Sequence, residues 1–312
     1  MTAPLLSVAN LRVDHGLTTV VSDVSFDVHA GCLFGVIGPD GSAKTTLLST
    51  LAGLIEPTHG SIRVCGIAID QGSGPGQVEV GFMPNQLALH EDLTPREFLE
   101  LFASAHGLAR TRRRARIDEM LELFSLTEVD TRLTGELDHD TQRRVLLARA
   151  LLHDPSVLLL DEPVSGMEPY VREELGQTLR AIAERGKAII VSSPVLTDLQ
   201  GSCTHVGIMD RGSMVISGRI ADVLEGLRPG RSVQLSLVHP DGRLHGFLSE
   251  QPNVKEVEAN HESAHFRLDG GLQEAAGLLR RLVESDFELA HFDAQDGALQ
   301  EILARVDGAR PG

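Results

Sequence analysis

Apolar positions along the chain follow two schemes. Val24, Phe26 and Val28 alternate with Ser25, Asp27 and His29 ahead of a turn at Ala30-Gly31, the period of a half-buried strand. Leu5 to Val13 reads as a further strand, so an antiparallel element opens the chain. Cys32 to Ile37, Val157 to Leu160 and Ala188 to Val191 are instead nearly continuous apolar runs, as strands buried on both faces require. Gly60 to Val64 and Val80 to Pro84 add strands, Asp70 to Gly76 reads as a glycine-rich connection, and Val206 to Ser217 reads as a hairpin turning at Asp210-Arg211-Gly212.

Helical periods fall between these strands. Leu47 to Gly53 reads as a short helix. Thr94-Pro95-Arg96-Glu97 forms a capping box with proline at the first helical position, opening a helix whose Phe98, Leu101, Phe102 and Ala105 share a face. The basic run Arg110 to Arg116 leads into Ile117, Met120, Leu121 and Phe124 at helical spacing and reads as a solvated helix face rather than a nucleic-acid site. Helices alternating with apolar strands predict an α/β sheet. After Gly226 the pattern changes. Val233, Leu235 and Leu237 alternate before a Pro240-Asp241-Gly242 turn and an expected strand over Leu244 to Leu248. Val254 to Ala259, Ala264 to Leu268 and Phe287 to Phe292 read as strands, Leu272 to Val283 as a helix, and Ala298 to Val306 as a final helix. The expected division is therefore a nucleotide module over 1–226, with a helical part at about 90–155, and a small α+β domain over 227–312 without catalytic clusters.

Composition narrows the function classes. The net charge of −16 over 312 residues argues against a nucleic-acid surface. The N-terminus lacks the basic and apolar regions of a signal peptide, and no stretch reaches the roughly 18 apolar residues of a membrane span, so a cytosolic location is expected. Cys32, Cys65 and Cys203 are isolated, expected as buried thiols and not as a disulfide framework. Thirteen histidines show no ligand spacing, so no metal site built by the protein alone is expected.

The chemistry is concentrated in Gly38-Pro39-Asp40-Gly41-Ser42-Ala43-Lys44-Thr45-Thr46, set between a strand and a helix. A triphosphate needs open backbone N–H groups, a helix N-terminus, a lysine for its outer phosphates and a hydroxyl for magnesium. Lys44 and Thr45 have that spacing, and Ala43 stands where the pattern wants glycine. Downstream, Val157 to Leu160 ends in Asp161-Glu162. In a P-loop ATPase the first carboxylate holds magnesium and the second polarises water. The ligands expected are ATP and Mg2+, with Glu162 as the catalytic carboxylate.

The order GPDGSAKTT, FMPN, LARALLHDPSVLLLDEPVSGMEP and IIVSS resembles the ATP-binding subunits of ABC transporters over roughly residues 5 to 225. The segment after 226 resembles, more loosely, the extension found on drug-export members. The resemblance implies an α/β P-loop NTPase fold with antiparallel and helical subdomains. It also implies a head-to-tail dimer in which each ATP lies between one chain's P-loop and the other's signature loop, and a transmembrane permease partner that brings the chain to the cytoplasmic face of the membrane. It places His15 where an aromatic residue stacks on adenine, and Asn85 or the adjacent Gln86 where a glutamine faces magnesium. Where the family has LSGGQ, this chain has Leu137-Asp138-His139-Asp140-Thr141. Glu168 replaces an aspartate, and Pro194 replaces the histidine that senses the γ-phosphate. These departures imply slow hydrolysis and a heterodimer with a more complete ATPase chain in preference to a homodimer, or an ATP-binding regulatory partner that hydrolyses little.

Overall fold

Alternating apolar positions produce an antiparallel ribbon at the N-terminus, β1 (Leu6–His15) and β2 (Thr18–Val28), in a computed structural model that describes residues 3–69, 76, 79–86, 89–195, 201–226 and 230–296. The chain then runs through β3 (Leu33–Ile37), α1 (Lys44–Leu51), β4 (His59–Val64), β5 (Ile67–Ala68) and β6 (Val80–Met83). Three helices follow, α2 (Pro95–Ala105), α3 (Arg110–Leu123) and α4 (His139–Leu151), and then β7 (Val157–Asp161), α5 (Pro169–Glu184), β8 (Ala188–Ser193), β9 (His205–Asp210) and β10 (Ser213–Arg219). Among the described residues, β2-β1-β4-β5 form one sheet and β10-β9-β3-β8-β7-β6 another. β3 pairs in parallel with β8 and β9, and β7 with β6 and β8. Every residue of β3, β7 and β8 is buried, which is why those segments read as unbroken apolar runs. β3 ends on the loop that leads to Lys44 at the start of α1, and β7 ends immediately before Glu162, so the central sheet sets their spacing.

The capping box forms as expected: Thr94 Oγ1 accepts from the Glu97 N–H, and Glu97 Oε2 accepts from the Thr94 N–H. The buried face of α2 differs from the expected one. Phe98, Leu99 and Ala103 are buried, whereas Leu101 is 49% exposed and Ala105 lies at the surface. Leu99 and Ala103 are one turn apart, and together with Phe98 they put the contact line one position away from Leu101. Ile117, Met120, Leu121 and Phe124 are buried as read. Of the basic run, Arg110, Arg112 and Arg114 are exposed, while Arg113 pairs with Glu100 and Arg116 with Glu119.

Residue contacts divide the chain into two compact units, Met1–Ile220 and Ala221–Gly312. The composition change after Gly226 coincides with the end of α6 (Ile220–Gly226). The second unit contains β11 (Gly230–Leu237), α7 (Leu244–Ser249), β12 (Val254–Ala259), β13 (Ser263–Asp269), α8 (Leu272–Glu284) and β14 (Leu289–Asp296), with strand order β12-β13-β11-β14. Its core joins Val233, Leu235, Leu248, Phe266, Leu278 and Leu282. The expected strand over Leu244 to Leu248 is the helix α7. Asp241 Oδ1 accepts from the Arg243 N–H at the start of that turn, and Leu244 and Leu248, four residues apart, are both fully buried, a helical spacing too short to recognise as a period. The expected helix over Ala298 to Val306, and the Asp70 to Gly76 connection apart from Gly76, lie outside the described residues. Among the cysteines only Cys32 is fully buried. Cys203 is half-buried and Cys65 is exposed, because the turn joining β4 to β5 carries it outward.

Candidate functional site

The loop after β3 is shaped by close packing and by two left-handed residues. A Cβ at Gly38 would collide with the Met209 main-chain oxygen, and Gly41 has φ 82°. Ala43 caps α1 at φ 74°, ψ 21°, a region that L-residues other than glycine occupy at a cost of roughly 1–2 kcal/mol. The alanine therefore holds a left-handed conformation at a cost in strain. Ala43→Gly is expected to raise the thermal midpoint by about 2–4 °C, the shift that 1 kcal/mol produces in a domain of this size. Calorimetric melting of the two proteins checks it, and a lower midpoint would mean that the methyl's packing against the core outweighs the strain.

Lys44 is 5% exposed, and its Nζ donates to the carbonyls of Gly38 at 2.6 Å and Pro39 at 3.1 Å. Burial lowers its pKa, opposed by the neighbouring Glu162, Asp40 and Asp161. Thr45 and Asp161 meet directly: Thr45 Oγ1 donates to Asp161 Oδ2 at 2.8 Å, and Ser192 Oγ donates to Asp161 Oδ1 at 2.6 Å. Asp161 is fully buried. Ser42 Oγ is buried and makes no hydrogen bond among the described residues, a polar atom that costs free energy unless a further partner reaches it. An unpaired hydroxyl, a lysine among loop carbonyls and a hydroxyl–carboxylate pair fit a phosphate group with its magnesium.

Glu162 follows at the end of β7 with φ 50°. Its N–H donates to Ser192 Oγ at 2.9 Å, and its Oε2 accepts from Asn85 Nδ2 at 3.1 Å. Burial raises its carboxyl pKa, Lys44 and Arg143 pull it down, and Asp161 and Asp40 push it up. Of the two glutamine substitutes, Asn85 is half-buried and touches Glu162, whereas Gln86 is exposed beside it. Both line a cleft of about 280 Å3 together with His139 and Arg143. His15 is exposed at the end of β1, across from Thr18, next to a fully exposed Leu17. Pro39, Asp40 and Thr46 are partly or fully exposed on the loop and the first turn of α1.

The segment Leu137-Asp138-His139-Asp140-Thr141 forms the N-terminus of α4. Asp138 is its N-cap, and Asp138 Oδ1 accepts from the Thr141 N–H at 2.8 Å. That hydrogen bond is the main cause of the lowered Asp138 pKa, so the carboxylate is charged at neutral pH. Asp140 stands in the first turn, 3.6 Å from His139 Nδ1. His139 also lies over Gly166, where an added Cβ would come within 3.4 Å of the imidazole. Glu168 is exposed at the N-cap of α5 without a side-chain cap bond, and Pro194 is half-buried after β8. Arg143 and Ser192 were not singled out by sequence. Their signal was a polar residue on an otherwise apolar helix face and a polar residue in an apolar strand.

The sequence model of the ABC transporter family matches residues 21–165. The chain is 30% identical over 306 residues to the linearmycin resistance ATP-binding protein LnrL of Bacillus subtilis, covering 97% of this chain and 98% of that one. It is 33% identical over 216 residues to the Nod factor export ATP-binding protein I of Ralstonia nicotianae, covering 69% and 67% of the two chains. Among solved structures, an ATP-binding subunit of an ABC transporter matches with TM-score 0.65 at 26% identity over 71% of this chain and 92% of that one. A dimeric ATP-binding cassette in a post-hydrolysis state with ADP and phosphate shares the fold, with TM-score 0.62 at 22% identity over 69% of this chain and 98% of that one.

Proposed function

The chain belongs to the ATP-binding subunits of ABC transporters, and on that footing we propose that it binds Mg-ATP at its own P-loop, hydrolyses it slowly and drives export through a separate transmembrane permease. Residues 1–226 carry the nucleotide module in this reading and 227–312 an accessory domain. Among the described residues no helix is long and apolar enough to cross a membrane. The observation that carries the reading is the hydrogen-bonded set Thr45–Asp161–Ser192–Glu162 beside the buried Lys44. Bound Mg-ATP supplies the γ-phosphoryl group. Lys44 and the N–H groups of Gly41 and of Ala43 to Thr45 would hold its phosphates, Thr45 and Asp161 would hold the metal with Asn85 or Gln86 near it, His15 would lie against the base, and Glu162 would accept the proton of the attacking water.

The acidic signature loop favours a heterodimer in this reading. A nucleotide seated on α4 by a partner would meet Asp138 and Asp140 where the family pattern has an uncharged serine and a glycine. Like charges about 4 Å apart repel by about 4 kcal/mol at an effective dielectric near 20, several times the roughly 1 kcal/mol of a lost hydrogen bond. Two copies of this chain would close poorly. A partner with an intact signature would complete the site on Lys44, and Pro194, which has no side-chain donor, would leave that site slow. The same two features favour a second reading, a regulatory ATP-binding partner that leaves hydrolysis to the other chain.

Replacing Asp138 with serine and His139 and Asp140 with glycine is expected to raise ATP-dependent dimerisation of the purified chain by at least about tenfold, since serine still caps α4. Analytical ultracentrifugation with and without Mg-ATP checks it. If neither dimerisation nor turnover rises, the acidic loop is not what limits the protein.

A further inference from the structure

Glu162 is held in the left-handed region, φ 50°, a conformation that persists in a residue other than glycine only where its surroundings over-determine it. Side chains hold both peptide groups. Ser192 Oγ accepts from its N–H at 2.9 Å. Its carbonyl accepts from Arg143 Nη1 at 2.9 Å and from the Ser165 N–H at 3.2 Å. Arg143 is 9% exposed, and burial lowers its pKa while Glu162 and Asp161 raise it. Its second arm, Nη2, donates to Asn85 Oδ1 at 3.3 Å, and Asn85 Nδ2 donates to Glu162 Oε2 at 3.1 Å. A guanidinium only donates, so it turns the Asn85 oxygen toward itself and leaves the Asn85 N–H for the Glu162 carboxylate. One buried cation thus sets both the backbone of Glu162 and the direction of its side chain.

We propose that Arg143 is a positioning residue for hydrolysis: by clamping the Glu162 carbonyl and orienting the Asn85 amide, it holds the Glu162 carboxylate in its working place and ties that place to α4. Arg143 lies on α4 five residues after Asp138, which caps that helix. A displacement of the end of α4 that faces a partner therefore pulls on the carbonyl of this chain's own Glu162. The proposal rests on the reading that Glu162 accepts the proton from water, and it goes further by making the signature-bearing helix part of the hydrolytic site in the same chain.

The test uses the full-length chain with Arg143→Ala, Arg143→Lys, Asn85→Ala and the Arg143→Ala/Asn85→Ala pair. Mg-ATP affinity is measured by calorimetry, turnover by phosphate release, and amide exchange over 160–166 by mass spectrometry. Arg143→Ala is expected to cut kcat by about 10- to 100-fold, the value of one hydrogen bond from a charged group, with affinity unchanged within about twofold. Exchange over 160–166 should speed up by about tenfold with other segments unaltered, since only a local opening is made easier. Arg143→Lys, which keeps the charge but offers no planar fork, should fall between. The double variant should lose no more than Arg143→Ala alone, because both groups act through Glu162.

Unchanged exchange in the Arg143→Ala protein overturns the proposal. So do additive losses in the double variant, or a loss of affinity that parallels the loss of turnover. A parent chain without turnover on its own, the outcome expected if two copies close poorly, leaves the exchange measurement to decide the clamp alone. Global loosening of the Arg143→Ala protein, with exchange over 160–166 normal in the Arg143→Lys protein and its turnover equal to the parent's, also counts against the fork.

Discussion

Glu162→Gln is expected to lower ATP turnover by about 10²- to 10⁴-fold, the usual contribution of a positioned general base, while Mg-ATP affinity stays within about twofold. The substitution is nearly isosteric, and the amide can still accept from Asn85 Nδ2, which is 3.1 Å from Glu162 Oε2. The backbone bonds from Glu162 to Ser192 and Arg143 are untouched. What disappears is the proton acceptor. Because burial raises the Glu162 carboxyl, the parent's turnover should fall on the acid side at a pH above the ordinary carboxylate range, and that limb should vanish in the variant. Phosphate release across pH on the assembled transporter checks both statements. Turnover equal to the parent's would place the hydrolysis at the partner's site and favour the regulatory reading.

Lys44→Ala is expected to weaken Mg-ATP binding by at least about 100-fold, since charge-assisted hydrogen bonds to phosphate are worth about 1.5–3 kcal/mol each. The ammonium is already desolvated within its loop, at 5% exposure and 2.6 Å from the Gly38 carbonyl. Little further desolvation is required when it turns to phosphate. Its loss also removes the main cation opposing the carboxylates of Asp40, Asp161 and Glu162, so a negatively charged ligand would meet three acids opposed only by the more distant charge of Arg143 on Asp161 and Glu162. Calorimetric titration with Mg-ATP checks the effect, and an affinity equal to the parent's would overturn the assignment of the loop as the nucleotide site.

The fold was most legible where a signal is local. The run Cys32 to Ile37, the glycines at 38 and 41 and the Lys44-Thr45 pair lie within one strand–turn–helix unit, and each carries its own conformational reason. Asp161-Glu162 was legible because a strand buried on both faces has few ways to end in two carboxylates. Short helices and the exact face of a helix were not legible: Leu244 to Leu248 is barely more than one turn, and on α2 the choice between Leu99 and Leu101 depends on packing that no single segment contains. Arg143 and Ser192 escaped for the same physical reason. Their partners are 19 and 30 residues away, and nothing near either residue in the chain indicates that its side chain ends on the backbone of Glu162.

The outward turn that exposes Cys65 makes the unaltered chain a carrier for a single spectroscopic label. The thiolate is the form that alkylates. Burial raises the Cys32 thiol and pushes the Cys203 thiol up to about 12, so at neutral pH a maleimide dye or nitroxide is directed to Cys65. One label per chain turns the pairing question into stoichiometry. Two identical chains would carry two coupled spins at a fixed separation, whereas a pair made with an unlabelled partner would carry one spin and no dipolar signal.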